Sequence, residues 1–173
     1  LNDTLANNDS LSVEVIHIPI ISTFPHTQSF ENGNEGWVSG GVLNSWELGQ
    51  PNNTIIDTAY HGTNAWVTSL SGTYNNNENS YVLSPCFDFT NMLVPQISMH
   101  VWWNSEFSWD GANLQYSIDN GLNWNNVGAF GDPNNWYTDN SINGAPGGNQ
   151  EGWTGRNSSS NGSNGWLIAS NSL

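Results

Sequence analysis

Apolar and polar residues alternate most regularly in two stretches of this protein, and each alternation predicts a strand with one buried face. Between Gln96 and Trp103, Ile97, Met99, Val101 and Trp103 fall on one side and Ser98, His100 and Trp102 on the other. Between Asp110 and Ile118, Ala112, Leu114, Tyr116 and Ile118 alternate with Asn113, Gln115 and Ser117. Asp119-Asn120-Gly121 follows, and Asn-Gly accepts positive φ angles with little penalty. The chain is therefore expected to reverse there and return through Trp124 and Val127.

The same stretch carries Ser117, Asp119, Gly121 and Trp124 at the spacing of the Asp-box, S-x-D-x-G-x-[T]-W, with Asn123 in place of the usual Thr. The Asp carboxylate is positioned to bond turn amides and the indole to cover the hairpin from the apolar side. This is a folding device and not a catalytic one.

Shorter strands are expected to end at Phe30-Glu31, to run through Ser45-Trp46-Glu47-Leu48, Ala65 to Leu70 and Tyr81-Val82-Leu83, and to close near Trp166-Leu167-Ile168-Ala169. Residues 1–23 contribute a polar loop and one strand built on Val13, Val15, Ile16, Ile18 and Ile20. That strand is either the end of a preceding β-sandwich module or an edge strand of the main unit, which occupies residues 24–173. Residues 128–165 are rich in Asn, Gly and Ser, and so long an irregular stretch points to a functional or surface-wrapping segment. Short strands separated by turn signals predict an all-β, antiparallel two-sheet sandwich.

Composition narrows the partners. Fifteen acidic residues face one basic residue, Arg156, giving a formal net charge of −14. Nucleic acids and anionic membrane surfaces need Lys and Arg to neutralise phosphates, so neither is an expected partner, and cations are the natural small ones. The sequence begins at Leu1 and has no signal-peptide pattern or apolar run of membrane-spanning length, which reads as a segment of something longer. A single cysteine, Cys86 in Pro85-Cys86-Phe87, excludes an internal disulfide and is expected to be a small buried hydrophobe.

An ordered set of motifs carries a family resemblance. Ser29-Phe30-Glu31…Gly36-Trp37, Trp46-Glu47-Leu48-Gly49, Gly62…Ala65-Trp66-Val67-Thr68, Leu83-Ser84-Pro85-Cys86-Phe87-Asp88 and Asp110-Gly111…Gln115-Tyr116-Ser117…Trp124 together resemble the MAM-like jelly-roll modules of bacterial surface proteins. Those modules are similar to reelin subrepeats and to cleaved-adhesin or choice-of-anchor modules, and they are common in large secreted proteins of the Bacteroidetes. The resemblance implies a jelly roll, a secreted or cell-surface location, structural calcium, and work in adhesion or glycan attachment. It also implies closing strands beyond Trp166-Leu167-Ile168 that do not follow here. The open edge is then expected to be completed by another chain, by the rest of the parent protein, or by loops.

For calcium, a hard cation that takes six to eight oxygen ligands, the candidate side chains are Glu31, Asn64 and Asp110. For glycans, whose apolar faces stack on exposed aromatic rings, the candidates are Trp102, Trp109, Trp136 and Trp153, all in polar or loop contexts. Trp37, Trp66, Trp103 and Trp124 are expected in the core.

No catalytic constellation is evident. His17, His26, His61 and His100 lack ligand spacing, and no G-x-S-x-G elbow occurs. A sialidase reading fails because one arginine cannot clamp a substrate carboxylate in the way several do. The expectation is a non-catalytic, calcium-stabilised module in adhesion or glycan attachment; the alternatives are a structural spacer of an adhesin or an accessory domain of a secreted peptidase or glycosidase. Asp3-Thr4-Leu5, Asp9-Ser10-Leu11 and Asp57-Thr58-Ala59 also resemble Bacteroidetes O-glycosylation motifs.

Overall fold

The structure is a computed structural model that describes residues 17–159 and 161–173. Among them there is no α-helix, only two single-turn 3₁₀ segments, Pro146–Gly148 and Asn157–Ser159. The fold is all-β. Its strands are β1 (Ile20–Ile21), β2 (Val38–Val42), β3 (Trp46–Gly49), β4 (Ala65–Thr68), β5 (Asn79–Leu83), β6 (Cys86–Phe87), β7 (Gln96–Val101), β8 (Gln115–Tyr116), β9 (Asn125–Asn126) and β10 (Leu167–Ser172).

These strands join as five two-stranded ladders and not as two continuous sheets. β2 pairs with β5, β3 with β4, β7 with β10 and β8 with β9, all antiparallel, while β1 lies parallel to β6. Each strand therefore has one ladder partner among the described residues. β10 pairs with β7 along its whole length, from Leu167 opposite Val101 to Ser172 opposite Gln96. The segment Ile20–Ile21 joins β6 as an edge; the rest of the strand expected over Val13 to Ile18 lies largely outside the described residues.

β7 shows the expected alternation: Ile97, Met99 and Val101 turn inward and Gln96, Ser98 and His100 outward. The inward residues, with Trp103 and Leu114, pack on a core of Val127, Trp136, Tyr137, Trp153 and Ala169. The ring of Trp153 meets Trp136 edge-on at 5.1 Å and Tyr137 at 4.9 Å between centroids. Edge-to-face contacts of this kind add to the gain from area burial alone. The polar tips are satisfied: Trp136 Nε1 donates to Val127 O, Trp153 Nε1 to Asn135 O, and the Tyr137 hydroxyl to Leu114 O.

Several expectations need correction. Trp136 and Trp153, proposed as sugar-facing, are only 3% and 4% exposed and form the centre of the core. Phe30-Glu31 lies in a turn and not at the end of a strand. Cys86 is exposed on β6 and not buried. Trp124, expected in the core, is half-exposed, whereas Trp37, Trp66 and Trp103 are partly buried.

The hairpin follows its pattern only at Leu114, which packs on the core, and departs from it elsewhere. Ala112, Tyr116 and Ile118 face solvent, with Ile118 89% exposed, and Asn113, Gln115 and Ser117 are the partly buried set. The cause is amide bonding. Asn113 Nδ2 donates to Pro146 O and Gln115 Nε2 to Gly147 O, so the polar face docks on the 145–151 loop. Burial of these amides is tolerated because their donors are met.

β2 was not evident in the sequence because Gly40-Gly41 interrupts it. Gly41 has φ +110°, and a Cβ there would run into the backbone of Asn79 and Ser80 on β5. Glycine is what lets the two strands approach.

Candidate functional site

The Asp-box turn has the expected carboxylate bonding, but its indole does not cover the hairpin from the apolar side as expected. Ser117 Oγ donates to Asp119 Oδ1 at 2.8 Å and accepts the N–H groups of Asp119 and Gly121. Asp119 accepts the Asn123 backbone N–H at 2.9 Å and its side-chain amide at 2.7 Å, so Asn123 supplies the donors that stabilise the carboxylate. Bonding from the Asn123 amide first, then its N–H and Ser117, draws the Asp119 carboxyl down from 3.8 to about 2. Trp124 Nε1 donates to Gly121 O, which lays the indole over the turn on the solvent side. Every group in this motif is used to hold the turn.

The three calcium candidates divide. Glu31 Oε1 accepts the N–H of Asn64 at 2.8 Å and of Thr63 at 3.0 Å, and Asn64 Nδ2 donates to Phe30 O. These amides, Asn64 before Thr63, hold the Glu31 carboxyl below its ordinary value. Gly62, at φ +70°, leaves the space that the Glu31 carboxylate fills. Asp110 keeps other company: its Oδ2 accepts the Tyr74 hydroxyl at 2.8 Å. Among the described residues no group of three His, Cys, Asp or Glu is placed to hold a metal ion. Glu31 Oε2 and Asn64 Oδ1 are oxygen ligands of the type a hard cation takes, while Asp110 Oδ2 is bonded to Tyr74.

Asp110 instead lies in a groove of about 430 Å³, where Tyr74, Glu106, Arg156, Asn76 and Thr73 also contribute. The 105–110 turn sets it up: Trp109 N–H and Asp110 N–H both reach Glu106 O. Thr154 Oγ1 and Ser105 Oγ donate to Asp110 O at 2.6 and 2.8 Å. The Tyr74 hydroxyl donates to Asp110 and accepts the Glu106 N–H at 3.2 Å. Burial, and then the bond to Asp110, push the Tyr74 hydroxyl up to about 12, so it remains a proton donor at any physiological pH. Arg156 Nη2 lies 3.4 Å from Glu106 Oε2, with both side chains half-exposed.

The groove therefore offers hydroxyls, amides and two carboxylates in a wide, open setting, which suits a polyhydroxylated neutral ligand. Of the four tryptophans proposed for sugars, Trp109 is 60% exposed and adjoins Asp110 in the sequence. Trp102 is partly buried, packed edge-on against Trp166 at 5.9 Å. Sequence reasoning missed Tyr74, Glu106 and Arg156. One signal was available, since a single arginine in a protein this acidic pairs with a carboxylate, and that pair marks the groove.

Thr58 of the third glycosylation-like motif is exposed, and its carbonyl accepts Trp166 Nε1 at 2.9 Å. The other two motifs lie outside the described residues. No described helix is long and apolar enough to cross a membrane.

No family model and no solved structure matches the protein. Among curated proteins it is similar to Bacillopeptidase F of Bacillus subtilis, 28% identical over 120 residues. That region is 69% of this protein and 8% of the relative, so the similarity spans a small part of a much longer protein.

Proposed function

We propose that the protein is a non-catalytic accessory module of a larger extracellular protein, and that it binds a neutral glycan along the Tyr74–Asp110 groove. The observation that carries this reading is the groove itself, about 430 Å³ of hydroxyl, amide and carboxylate lining, with Trp109, 60% exposed, next to Asp110 in the sequence. Hydroxyl-rich ligands are held by such polar groups while an aromatic face takes their apolar side. Adhesion or surface attachment through glycans follows from that binding. Asp110 and Glu106 here organise the groove, through Tyr74 and Arg156, and carry out no reaction.

A jelly-roll arrangement and structural calcium belong to the same proposal. Calcium is assigned to Glu31 and Asn64 alone, with backbone carbonyls completing the shell. The similarity to a peptidase over 8% of its length supports the reading as an accessory domain of a secreted peptidase. In that case the module positions an enzyme on a glycan-bearing surface.

A glycan array probed with the intact protein tests the reading. Binding to neutral oligosaccharides that is weakened at least about tenfold by Trp109→Ala and by Asn76→Ala is the expected result, in line with loss of one stacking or bonding group. An array without signal would leave a structural spacer as the function.

A further inference from the structure

Five Asn-Gly pairs punctuate the sequence, at Asn32, Asn120, Asn143, Asn161 and Asn164. Asn-Gly is the pair in which the glycine nitrogen most readily attacks the preceding side-chain amide, because no Cβ obstructs the approach. The structure distinguishes among them by what each glycine N–H is doing. Gly121 N–H donates to Ser117 Oγ at 2.8 Å, and Gly144 N–H donates to Trp109 O at 2.8 Å. Asn143 is held further by its own amide, whose Nδ2 donates to Ser108 O. Gly162 N–H also has no partner among the described residues, but the glycine is packed against Asn157 and Arg156.

Gly33 and Gly165 differ. Among the described residues neither N–H has a partner, neither glycine has another atom within 4 Å of where a Cβ would stand, and both take positive φ, +99° and +143°. Asn32 and Asn164 are themselves exposed.

We propose that Asn32 and Asn164 are sites of spontaneous covalent modification, deamidating in the folded protein while Asn120 and Asn143 are spared. The step is internal. The backbone nitrogen of Gly33 or Gly165 loses its proton and bonds to Cγ of the preceding Asn, and the bond from that Cγ to Nδ2 breaks to release ammonia. Water then opens the cyclic imide at either carbonyl, giving Asp or isoaspartate, with no oxidant or reductant involved. A glycine nitrogen already donating to Ser117 or Trp109 must first break that bond, and its neighbours hold it away from the attack geometry.

Each event adds one negative charge to a protein already at −14. At Asn32 the charge appears beside Glu31, whose carboxylate ties the turn to Thr63 and Asn64. An isoaspartate there also lengthens the backbone by one methylene, so the site ages the one loop assigned to calcium.

The test is peptide mapping by mass spectrometry after incubating the intact protein in warm, mildly alkaline buffer. The expected result is conversion at Asn32 and Asn164 about tenfold or more faster than at Asn120 and Asn143, the factor set by one retained hydrogen bond. In denaturant the four rates should converge, because the sequence pair is the same. Ser117→Ala should release Asn120 alone. Equal rates in the folded protein, Asn120 leading, or protection that persists in denaturant would each overturn the proposal.

Discussion

Ser117 and Asp119 hold each other across two residues, Ser117 Oγ donating to Asp119 Oδ1 at 2.8 Å while it gathers the amides of Asp119 and Gly121. The carboxylate is thereby stabilised in its charged form, and its folded value of about 2 lies below the ordinary 3.8. A depressed carboxyl contributes stability above its unfolded value and loses it as pH falls through the folded one. The melting temperature of wild type should therefore exceed that of Asp119→Asn by a constant margin at neutral pH. That margin should shrink as pH drops from 3.8 toward 2, as thermal melts across this range will show.

Trp153→Ala and Trp136→Ala should each cost about 3–5 kcal/mol in urea unfolding, since each removes a core ring and leaves a cavity. Trp109→Ala, on the surface, should change stability by no more than about 0.5 kcal/mol. A Trp109 variant that folds normally and loses glycan binding separates the groove from the core.

Calcium should raise the melting temperature of the wild-type protein and chelator should lower it, whereas Glu31→Gln should respond to neither. Asp110→Asn should keep the wild-type response, because Asp110 is bonded to Tyr74 and stands apart from the Glu31 loop. A calcium response lost in Asp110→Asn and retained in Glu31→Gln would move the site to the groove.

Alkaline titration followed by ultraviolet absorbance should find that two of the five tyrosines, Tyr74 and Tyr137, ionise near 12, both raised chiefly by burial. The ionised form is the one the fold disfavours. Stability from these groups is therefore complete below 10 and is lost as pH rises through about 12. Tyr74→Phe should lessen this alkaline loss and also weaken the groove by leaving Asp110 without its donor.

The sequence made β7 legible because Ile97, Met99 and Val101 alternate with Gln96, Ser98 and His100 and the strand is buried on one face only. The Asp-box was legible because its bonds are local. The hairpin faces were not, since alternation records chemistry and not direction: Asn113 and Gln115 are polar but find loop carbonyls, and that pairing is set by residues more than thirty positions away. Trp136 and Trp153 misled for a similar reason. Their neighbours are Asn, Thr and Gly, yet their own rings supply the apolar bulk of the core. The groove was illegible because Tyr74 and Asp110 meet only in space.

The strand pairings nest without crossing, as brackets do. β3–β4 closes inside β2–β5, which closes inside β1–β6, and β8–β9 closes inside β7–β10. Shorter closures lose less conformational entropy, so each half can zip outward from its innermost pair before the halves meet. Tyr74 belongs to the first bracket set and Asp110, Glu106 and Arg156 to the second. The groove thus lies on a seam between the two nested sets. A ligand seated there acts as a staple across the seam, adding stability in proportion to its own occupancy.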